Sequence, residues 1–309
     1  MKPGSVVLGS VVAAVLAAPA GAVVVGPGGS GGGTGSGVVC GGTTGLPGAA
    51  APYSVLIVGA GNFVSEYTDL RASLAVGGNA TLTGYAVASA VVGDLTAAVN
   101  PAALVVGGQL TATYGSVGAS GGATTHYGTI YTTTTPILTD FDAVGGTVAE
   151  SVVDFNAAAT YYTDLSTSLG ALAATGTVAQ SSSTLTFSGA QTDINIFTID
   201  APTLAVTNSV VISVPSGSAT LINVTGTAAT LQNGGVQQTG ATPTTVLYNF
   251  FQATSLTLPG SMNPQGSLLA PFAAVNGGYG QVSGQLVAAS YNANLEFESD
   301  LFTCTLPGS

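Results

Sequence analysis

Short apolar runs that end at two adjacent or nearly adjacent glycines recur along the chain and limit the folds open to it. Three of them are Leu56-Ile-Val-Gly-Ala-Gly-Asn62, Leu74-Ala-Val-Gly-Gly-Asn79 and Leu104-Val-Val-Gly-Gly-Gln109. Each combines a strand with a corner, and stacked copies bury apolar surface that one copy cannot bury alone. The sequence therefore predicts a mainly β fold, a right-handed parallel β-solenoid (β-helix). A β-sandwich is the alternative.

One segment breaks this pattern and predicts a single long α-helix that flanks the solenoid. Apolar residues recur there every three or four positions, at Val152, Phe155, Ala159, Tyr162, Leu165, Leu169 and Leu172. Ser151 with Asp154 three residues later resembles a capping box, and Gly170 or Gly176 can end the helix. Because a helix with one apolar stripe has to lie against a partner, we expect it on the side of the solenoid.

The first residues predict export of the protein. Lys2 precedes an apolar run that closes on small residues near Ala20 and Ala22, so residues 1–22 are predicted to be a signal peptide. The run is too short for a permanent membrane span, and no later stretch is long enough. The mature chain is predicted to be secreted, either free or associated with the cell surface. Residues 23–52 form a Gly-rich flexible linker, 53–304 the solenoid domain and 305–309 a tail.

The charge balance excludes nucleic acid as a partner. The chain has a formal net charge of −11 at pH 7, and Arg71 is the one cation left against 13 acids once Lys2 is removed. Binding to a phosphate backbone requires several Lys or Arg side chains. We therefore expect an extracellular glycan or protein surface as the partner.

Cys40 and Cys304 are the only cysteines, and they flank the patterned region. An oxidising compartment favours their pairing. Two separate free thiols are the alternative to the predicted disulfide.

Residues suited to catalysis are scarce. His126 is the only histidine, and no Gly-rich segment ends in the Gly-Lys-Ser/Thr of a phosphate loop. The sequence therefore predicts a protein that is not an enzyme and that has no cofactor.

Two acidic clusters are candidates for binding a cation. They are Asp140 with Asp142, and Glu296 with Glu298 and Asp300. Alternate residues of a strand share one face, so the carboxylates of each cluster would lie together. Ca²⁺ is a cation that such carboxylates can bind. A polysaccharide-active solenoid enzyme would also use clustered acids. The favoured interpretation is a solvated acidic edge that discourages strand-to-strand aggregation.

Asn79-Ala-Thr81 and Asn223-Val-Thr225 match the N-glycosylation pattern. Both asparagines lie in predicted strands. The alternative is that they occupy corners or ladders of the solenoid.

Several pieces between Tyr53 and Phe302 resemble the choice-of-anchor A domain. They include Tyr53-Ser-Val-Leu-Ile-Val-Gly, Asp69-Leu-Arg-Ala-Ser-Leu-Ala-Val-Gly-Gly-Asn79, Val246-Leu-Tyr-Asn-Phe250 and Gly266-Ser-Leu-Leu-Ala-Pro271. The resemblance implies a secreted or surface-displayed domain whose fold is similar to the ice-binding type of solenoid with a flanking helix. The last residues, Phe302 to Ser309, carry no sortase-like motif. We therefore expect release, or attachment through a partner, in place of covalent anchoring.

Threonine recurs at alternate positions, which point the same way on a strand. The candidate surface-binding residues are Thr81, Thr83, Thr111, Thr113, Thr184 and Thr186. If they align, they predict an adhesive surface of hydroxyls and methyls, to which exposed tyrosines such as Tyr85, Tyr114, Tyr131 and Tyr279 would add contacts. Ice binding is the alternative function. Ordinary strand propensity of threonine is the simpler explanation of any one motif.

Overall fold

The computed structural model describes residues 38–42, 45–90, 102–118, 128–232, 235–261 and 263–309. The predicted signal peptide, the predicted linker up to residue 37 and His126 lie outside the described residues.

Strands form most of the regular structure. The first part of the chain contains β1 (Tyr53–Ile57), β2 (Phe63–Glu66), β3 (Asp69–Leu70), β4 (Ser73–Val76), β5 (Ala80–Val87), β6 (Ala102–Val106), β7 (Leu110–Val117), β8 (Thr129–Thr132), β9 (Ile137–Asp142) and β10 (Thr147–Val148). The long helix α1 (Phe155–Gly170) follows.

The second part contains β11 (Thr177–Ser181), β12 (Thr184–Ser188), β13 (Ile194–Asp200), the short helix α2 (Ala201–Ala205), β14 (Ser209–Ser213), β15 (Ala219–Thr225), β16 (Ala228–Thr230), β17 (Gly235–Thr239), β18 (Val246–Asn249), β19 (Ser255–Leu258), β20 (Ser267–Val282) and β21 (Leu286–Phe297). Two 3₁₀ turns cover Gly48–Ala50 and Pro243–Thr245. The predicted mainly β fold with one long helix is confirmed, and α2 is an addition that the sequence analysis missed.

Most strands belong to two ladders of parallel pairs. The helix-side ladder runs in the order β13, β15, β18, β20, β21, β1, β4, β6, β8, β10. The outer ladder runs in the order β16, β19, β20, β21, β2, β5, β7, β9. A separate sheet contains β11, β12, β14 and β17, in which only β11 is antiparallel to its neighbour. The right-handed winding of a solenoid stays a prediction.

The order of strands in the ladders differs from their order in the sequence. Strand β1 pairs with β4 on one side and with β21, the last strand of the chain, on the other. The first strand is therefore inserted between two strands that are far apart in sequence. The helix-side ladder is therefore continuous only when the first and the last strands of the chain are both in place.

The helix-side ladder is buried on both sides, which explains why its strands are continuously apolar. In β1, Val55 and Ile57 belong to the central core, whereas Leu56 between them packs into a second cluster with α1. That second cluster holds the buried helix residues Phe155, Ala158, Tyr162, Leu165 and Leu169. The helix thus covers one side of the ladder, as its apolar stripe predicted.

Helix α1 begins later than its predicted capping box. Asp154 is the N-cap, and its Oδ1 accepts hydrogen bonds from the backbone N–H groups of Asn156 at 3.1 Å and Ala157 at 2.9 Å. Ser151 lies before the helix and donates its hydroxyl to the carbonyl of Val153. Asp154 caps the helix itself because its carboxylate accepts the free N–H groups of the first turn. Across the described ranges, no helix is long and apolar enough to cross a membrane.

The predicted disulfide between Cys40 and Cys304 is confirmed, with the two Cα atoms 3.9 Å apart. Leu46 and Ala50 lie within the predicted flexible linker but are buried in the cluster beneath α1. The folded part of the chain therefore begins before residue 53. It also extends into the predicted tail, where Leu306 is buried.

Candidate binding face

Strands β5 and β7 place four of the six candidate threonines next to one another. Thr81 pairs with Thr111 and Thr83 with Thr113 in a parallel register, while the residues between them, Leu82 and Ala112, are buried. Neighbouring strands lie about 4.8 Å apart, and alternate residues of one strand about 6.7 Å apart. The four side chains therefore form a small rectangular grid on the outer side of this ladder.

The same outward column continues across all eight strands of the outer ladder. In stacking order its members are Thr230, Thr257, Asn276, Asn292, Val64, Thr81, Thr111 and Ile137. A second column contains Glu66, Thr83, Thr113 and Thr139. These outward side chains are called the Thr/Asn face below. Its members are exposed or half-buried and mostly polar, but Val64 interrupts the first column and Ile137 ends it.

Thr184 and Thr186 do not lie on this face. Both are on β12 in the four-stranded sheet, where they pair with Ser209 and Val211 of β14. They are half-buried. The prediction that all six threonines share one surface is therefore corrected for these two, because β12 belongs to a different sheet.

The tyrosines are divided between the interior and the surface. Tyr85 is buried, with its ring 6.0 Å from that of Phe63 in an edge-to-face arrangement, so the prediction of an exposed Tyr85 is wrong. Tyr131 is half-buried. Tyr114 and Tyr279 are exposed, as expected, and so is Tyr67, which the sequence analysis missed.

Arg71 forms ion pairs with two residues of the acidic cluster near the end of β21. The Arg71 Nε lies 3.3 Å from Glu296 Oε1 and 2.9 Å from Glu298 Oε2. The hydrogen bond to Glu296 and the charge of Glu298 raise the pKa of the Arg71 guanidinium. Burial raises the pKa of the Glu298 carboxyl above its ordinary value, and Arg71 opposes that shift.

The second acidic cluster lies elsewhere. Asp140 and Asp142 are on β9, which ends the outer ladder, and β3, β5 and β7 separate Asp142 from Glu296. Within the described ranges, no group of three or more His, Cys, Asp or Glu side chains could hold a metal ion. The two acidic clusters are therefore not brought together into one site. The position of Asp140 on a terminal strand fits the favoured interpretation of an acidic edge that discourages strand-to-strand aggregation.

The two candidate glycosylation residues have different surroundings. Asn79 is exposed at the corner before β5, where its Oδ1 accepts the backbone N–H of Gln109 at 2.8 Å. Asn223 is fully buried and donates its amide to the carbonyl of Leu169 at 2.8 Å. The folded domain leaves no room for a glycan on Asn223, which is a ladder residue.

A family model described as "Putative Ice-binding-like adhesive domain" matches residues 46–299. The chain belongs to this family. The matched range of the adhesive domain begins at the buried Leu46 and ends just beyond β21, so it includes both ladders and α1. The match supports the adhesive, ice-binding-like family in general and not the choice-of-anchor A domain in particular. No curated protein and no solved structure matches the chain.

Proposed function

We propose that the adhesive domain attaches to an extracellular glycan or protein surface through the Thr/Asn face, without catalysis. The observation that carries this proposal is the outward column that continues across eight paired strands, in which hydroxyl and amide groups predominate. Such a row offers many donors and acceptors on a rigid support. Because backbone pairing fixes their spacing, little conformational entropy is lost on contact.

The proposal includes a right-handed solenoid scaffold and secretion of the chain. The motifs shared with the choice-of-anchor A domain and the apolar run after Lys2 support both expectations. The N-terminus of the secreted product should begin near Gly21 or Val23. A product that retained Met1 inside the cell would contradict secretion.

Charge placed in the middle of the Thr/Asn face tests its role in attachment. The double variant Thr81→Glu/Thr111→Glu puts two carboxylates opposite each other on paired strands, and a partner that contacts them has to remove their hydration. We expect the purified full chain to be retained on a panel of immobilised cell-wall glycans and surface proteins. The variant should lose at least about tenfold in affinity, which corresponds to 1.4 kcal/mol.

Thr184→Glu is the matched control, because Thr184 is half-buried on a different sheet. Both variants should keep the unfolding temperature of the native chain to within a few degrees. Equal retention of the double variant and the native chain would disprove a role for this face.

Ice is the second candidate ligand, favoured by the grid of Thr81, Thr83, Thr111 and Thr113. Ice recognition requires such spacing over a large area. The grid is bordered by Val64 and Ile137, and amides replace hydroxyls at Asn276 and Asn292. We therefore expect no appreciable thermal hysteresis or shaping of ice crystals. Clear faceting at micromolar protein concentration would reverse the order of the two candidates.

A further inference from the structure

Three exposed tyrosines lie along one border of the Thr/Asn face. Tyr67 is 79% exposed, Tyr114 60% and Tyr279 68%. An aromatic side chain at such exposure leaves most of its apolar surface in water and contributes little packing to the fold. Their positions relative to one another therefore bear on ligand binding.

The strand register places these tyrosines on alternate strands of the outer ladder. Tyr279 of β20 pairs with Asn294 of β21. The Oδ1 of Asn294 accepts the backbone N–H of Glu66, the residue before Tyr67, at 2.8 Å. The backbone positions of Tyr279 and Tyr67 are thus two strands apart, or about 10 Å.

The same interval recurs on the other side of Tyr67. Thr83 and Tyr85 pair with Thr113 and Gly115, so Gly84 lies beside Tyr114. Tyr67 in turn donates its N–H to the carbonyl of Thr83, the residue before Gly84. Tyr67 and Tyr114 are therefore also two strands apart. The border has the stacking order Tyr279, Asn294, Tyr67, Gly84, Tyr114.

Two of these rings occupy backbone positions that disfavour them. Tyr67 has a φ of 52° and Tyr114 a φ of 53°, and Gly84 between them has a φ of 59°. In this left-handed region a residue with a Cβ costs roughly 1–2 kcal/mol relative to glycine. Glycine would therefore stabilise this corner better at both positions. Backbone strain is concentrated at functional sites, so its presence at two bulky, exposed residues points to a role in ligand binding.

Two glycines next to the tyrosines give two of the rings a place to lie. A Cβ on Gly84 would come within 2.8 Å of Cδ1 of Tyr67, and a Cβ on Gly260 within 3.2 Å of Cε1 of Tyr279. The Tyr279 hydroxyl also accepts a hydrogen bond from the Ser261 hydroxyl at 3.2 Å. Each of these rings thus packs over a residue without a side chain and leaves most of its surface to solvent.

We infer that this row of tyrosines binds an extended, neutral β-1,4-linked polysaccharide that runs along the ladder, across the strands. The C–H groups on the face of a sugar ring are attracted to the electron-rich face of an aromatic ring. An interval of two strands is close to the length of two sugar units in such a chain. The hydroxyls of Thr83 and Thr113 lie next to the tyrosines and can pair with sugar hydroxyls.

Charge and shape distinguish this ligand from others. The net charge of −11 disfavours acidic polysaccharides, and Arg71 is already paired with Glu296 and Glu298. Three separate rings on a polar border also lack the continuous apolar centre that a protein partner would use. The inference rests on the proposed adhesive function and specifies its ligand.

The test uses the full chain with insoluble cellulose and chitin as probes, together with soluble oligosaccharides of two and six units. The variant is Tyr67→Asn/Tyr114→Asn/Tyr279→Ala, since asparagine tolerates the left-handed backbone at the first two positions. The control is Phe272→Ala, which removes a ring that is 38% exposed at another corner. We expect the triple variant to lose at least about tenfold in affinity and the control to bind like the native chain.

A hexasaccharide should also bind more tightly than a disaccharide, because only the longer chain reaches two tyrosines. Tyr67→Phe/Tyr114→Phe/Tyr279→Phe should retain binding, because it keeps the three rings. If the triple variant binds both polysaccharides as the native chain does, or if the native chain binds neither, the inference is wrong. The proposed adhesive function does not depend on that outcome. It is supported if the native chain attaches to another surface and Thr81→Glu/Thr111→Glu abolishes that attachment. It is wrong if the native chain attaches to none of the surfaces tested.

Discussion

The side-chain amide of Asn249 donates a hydrogen bond to Oδ1 of Asn223 at 2.8 Å in a fully buried position beneath α1. Asn249 also donates to the carbonyl of Ser166 and accepts the Ser166 hydroxyl at 2.6 Å. Asn223 continues the row by donating to the carbonyl of Leu169. The two amides thus join adjacent strands of the helix-side ladder to the last turns of the helix.

We predict that Asn249→Leu destabilises the domain by about 2–4 kcal/mol, because it leaves Asn223 Oδ1 and the Ser166 groups buried without partners. The free energy of unfolding from denaturant titration measures the loss. Asn276→Leu is the control, since Asn276 is exposed on the outer ladder. A loss below about 0.5 kcal/mol for Asn249→Leu would show that water replaces the lost partners.

The disulfide between Cys40 and Cys304 closes a loop with a sequence separation of 264 residues. Cys40→Ser/Cys304→Ser should lower the free energy of unfolding by about 5 kcal/mol in the chain-entropy model. Thermal unfolding of the native chain with and without reductant gives an independent measure. Reductant should have no effect on the double variant, and an unchanged melting temperature of the native chain would contradict the prediction.

Gln285 holds the same two chain segments together without a covalent bond. Its Oε1 accepts the N–H groups of Leu46 at 2.7 Å and Phe302 at 3.0 Å, and its Nε2 donates to the carbonyls of Ala50 and Tyr53. Gln285→Met removes four buried hydrogen bonds at once. We expect a loss of about 3 kcal/mol or more.

Limited proteolysis should then cleave the Gln285→Met variant in the segment before β1, even with the disulfide intact. Gln237→Met is the control because Gln237 is exposed on β17. Resistance of the Gln285→Met variant equal to that of the native chain would mean that the disulfide alone holds the segment.

The carboxyl of Glu298 should give stability a measurable pH dependence. Burial raises its pKa, with repulsion from Glu296, Asp300 and Asp69 adding to the effect and Arg71 opposing it. A raised pKa means that the folded state binds the proton more tightly, so this group stabilises most below its ordinary pKa and its contribution falls as pH rises through the folded value. Glu298→Gln removes this dependence.

The stability of Glu298→Gln relative to the native chain should therefore increase as pH is raised from about 4 towards 7. Urea titrations at several pH values provide the comparison, and Glu150→Gln serves as an exposed control. A relative stability that decreases over this range would show that attraction to Arg71 outweighs burial.

Local features of the fold followed from the sequence. The three- and four-residue spacing identified α1, because a helix that buries one stripe must repeat apolar residues at that interval. Gly-terminated apolar runs identified strands and corners, and a chain with two cysteines allows only one intramolecular pairing. Alignment of Thr81, Thr83, Thr111 and Thr113 was only one of two interpretations of the sequence, and the pairing of β5 with β7 places these four residues side by side.

The tertiary structure decided which side of the sheet each residue occupies after a corner. In β5, Thr81 and Thr83 point outward and Leu82 inward, so simple alternation would place Tyr85 outside. The left-handed Gly84 reverses the alternation, and Tyr85 is buried. The same corner geometry exposes Tyr67 and Tyr114.

Long-range pairing decided the rest. The position of β1 between β4 and β21 depends on contacts between residues that are more than 200 positions apart, and no local pattern encodes them. Thr184 and Thr186 resemble the other threonine pairs in sequence, yet β12 pairs within a separate sheet. A sequence motif fixes the shape of one strand, whereas the partner of that strand is set by which buried surfaces fit together in the complete core.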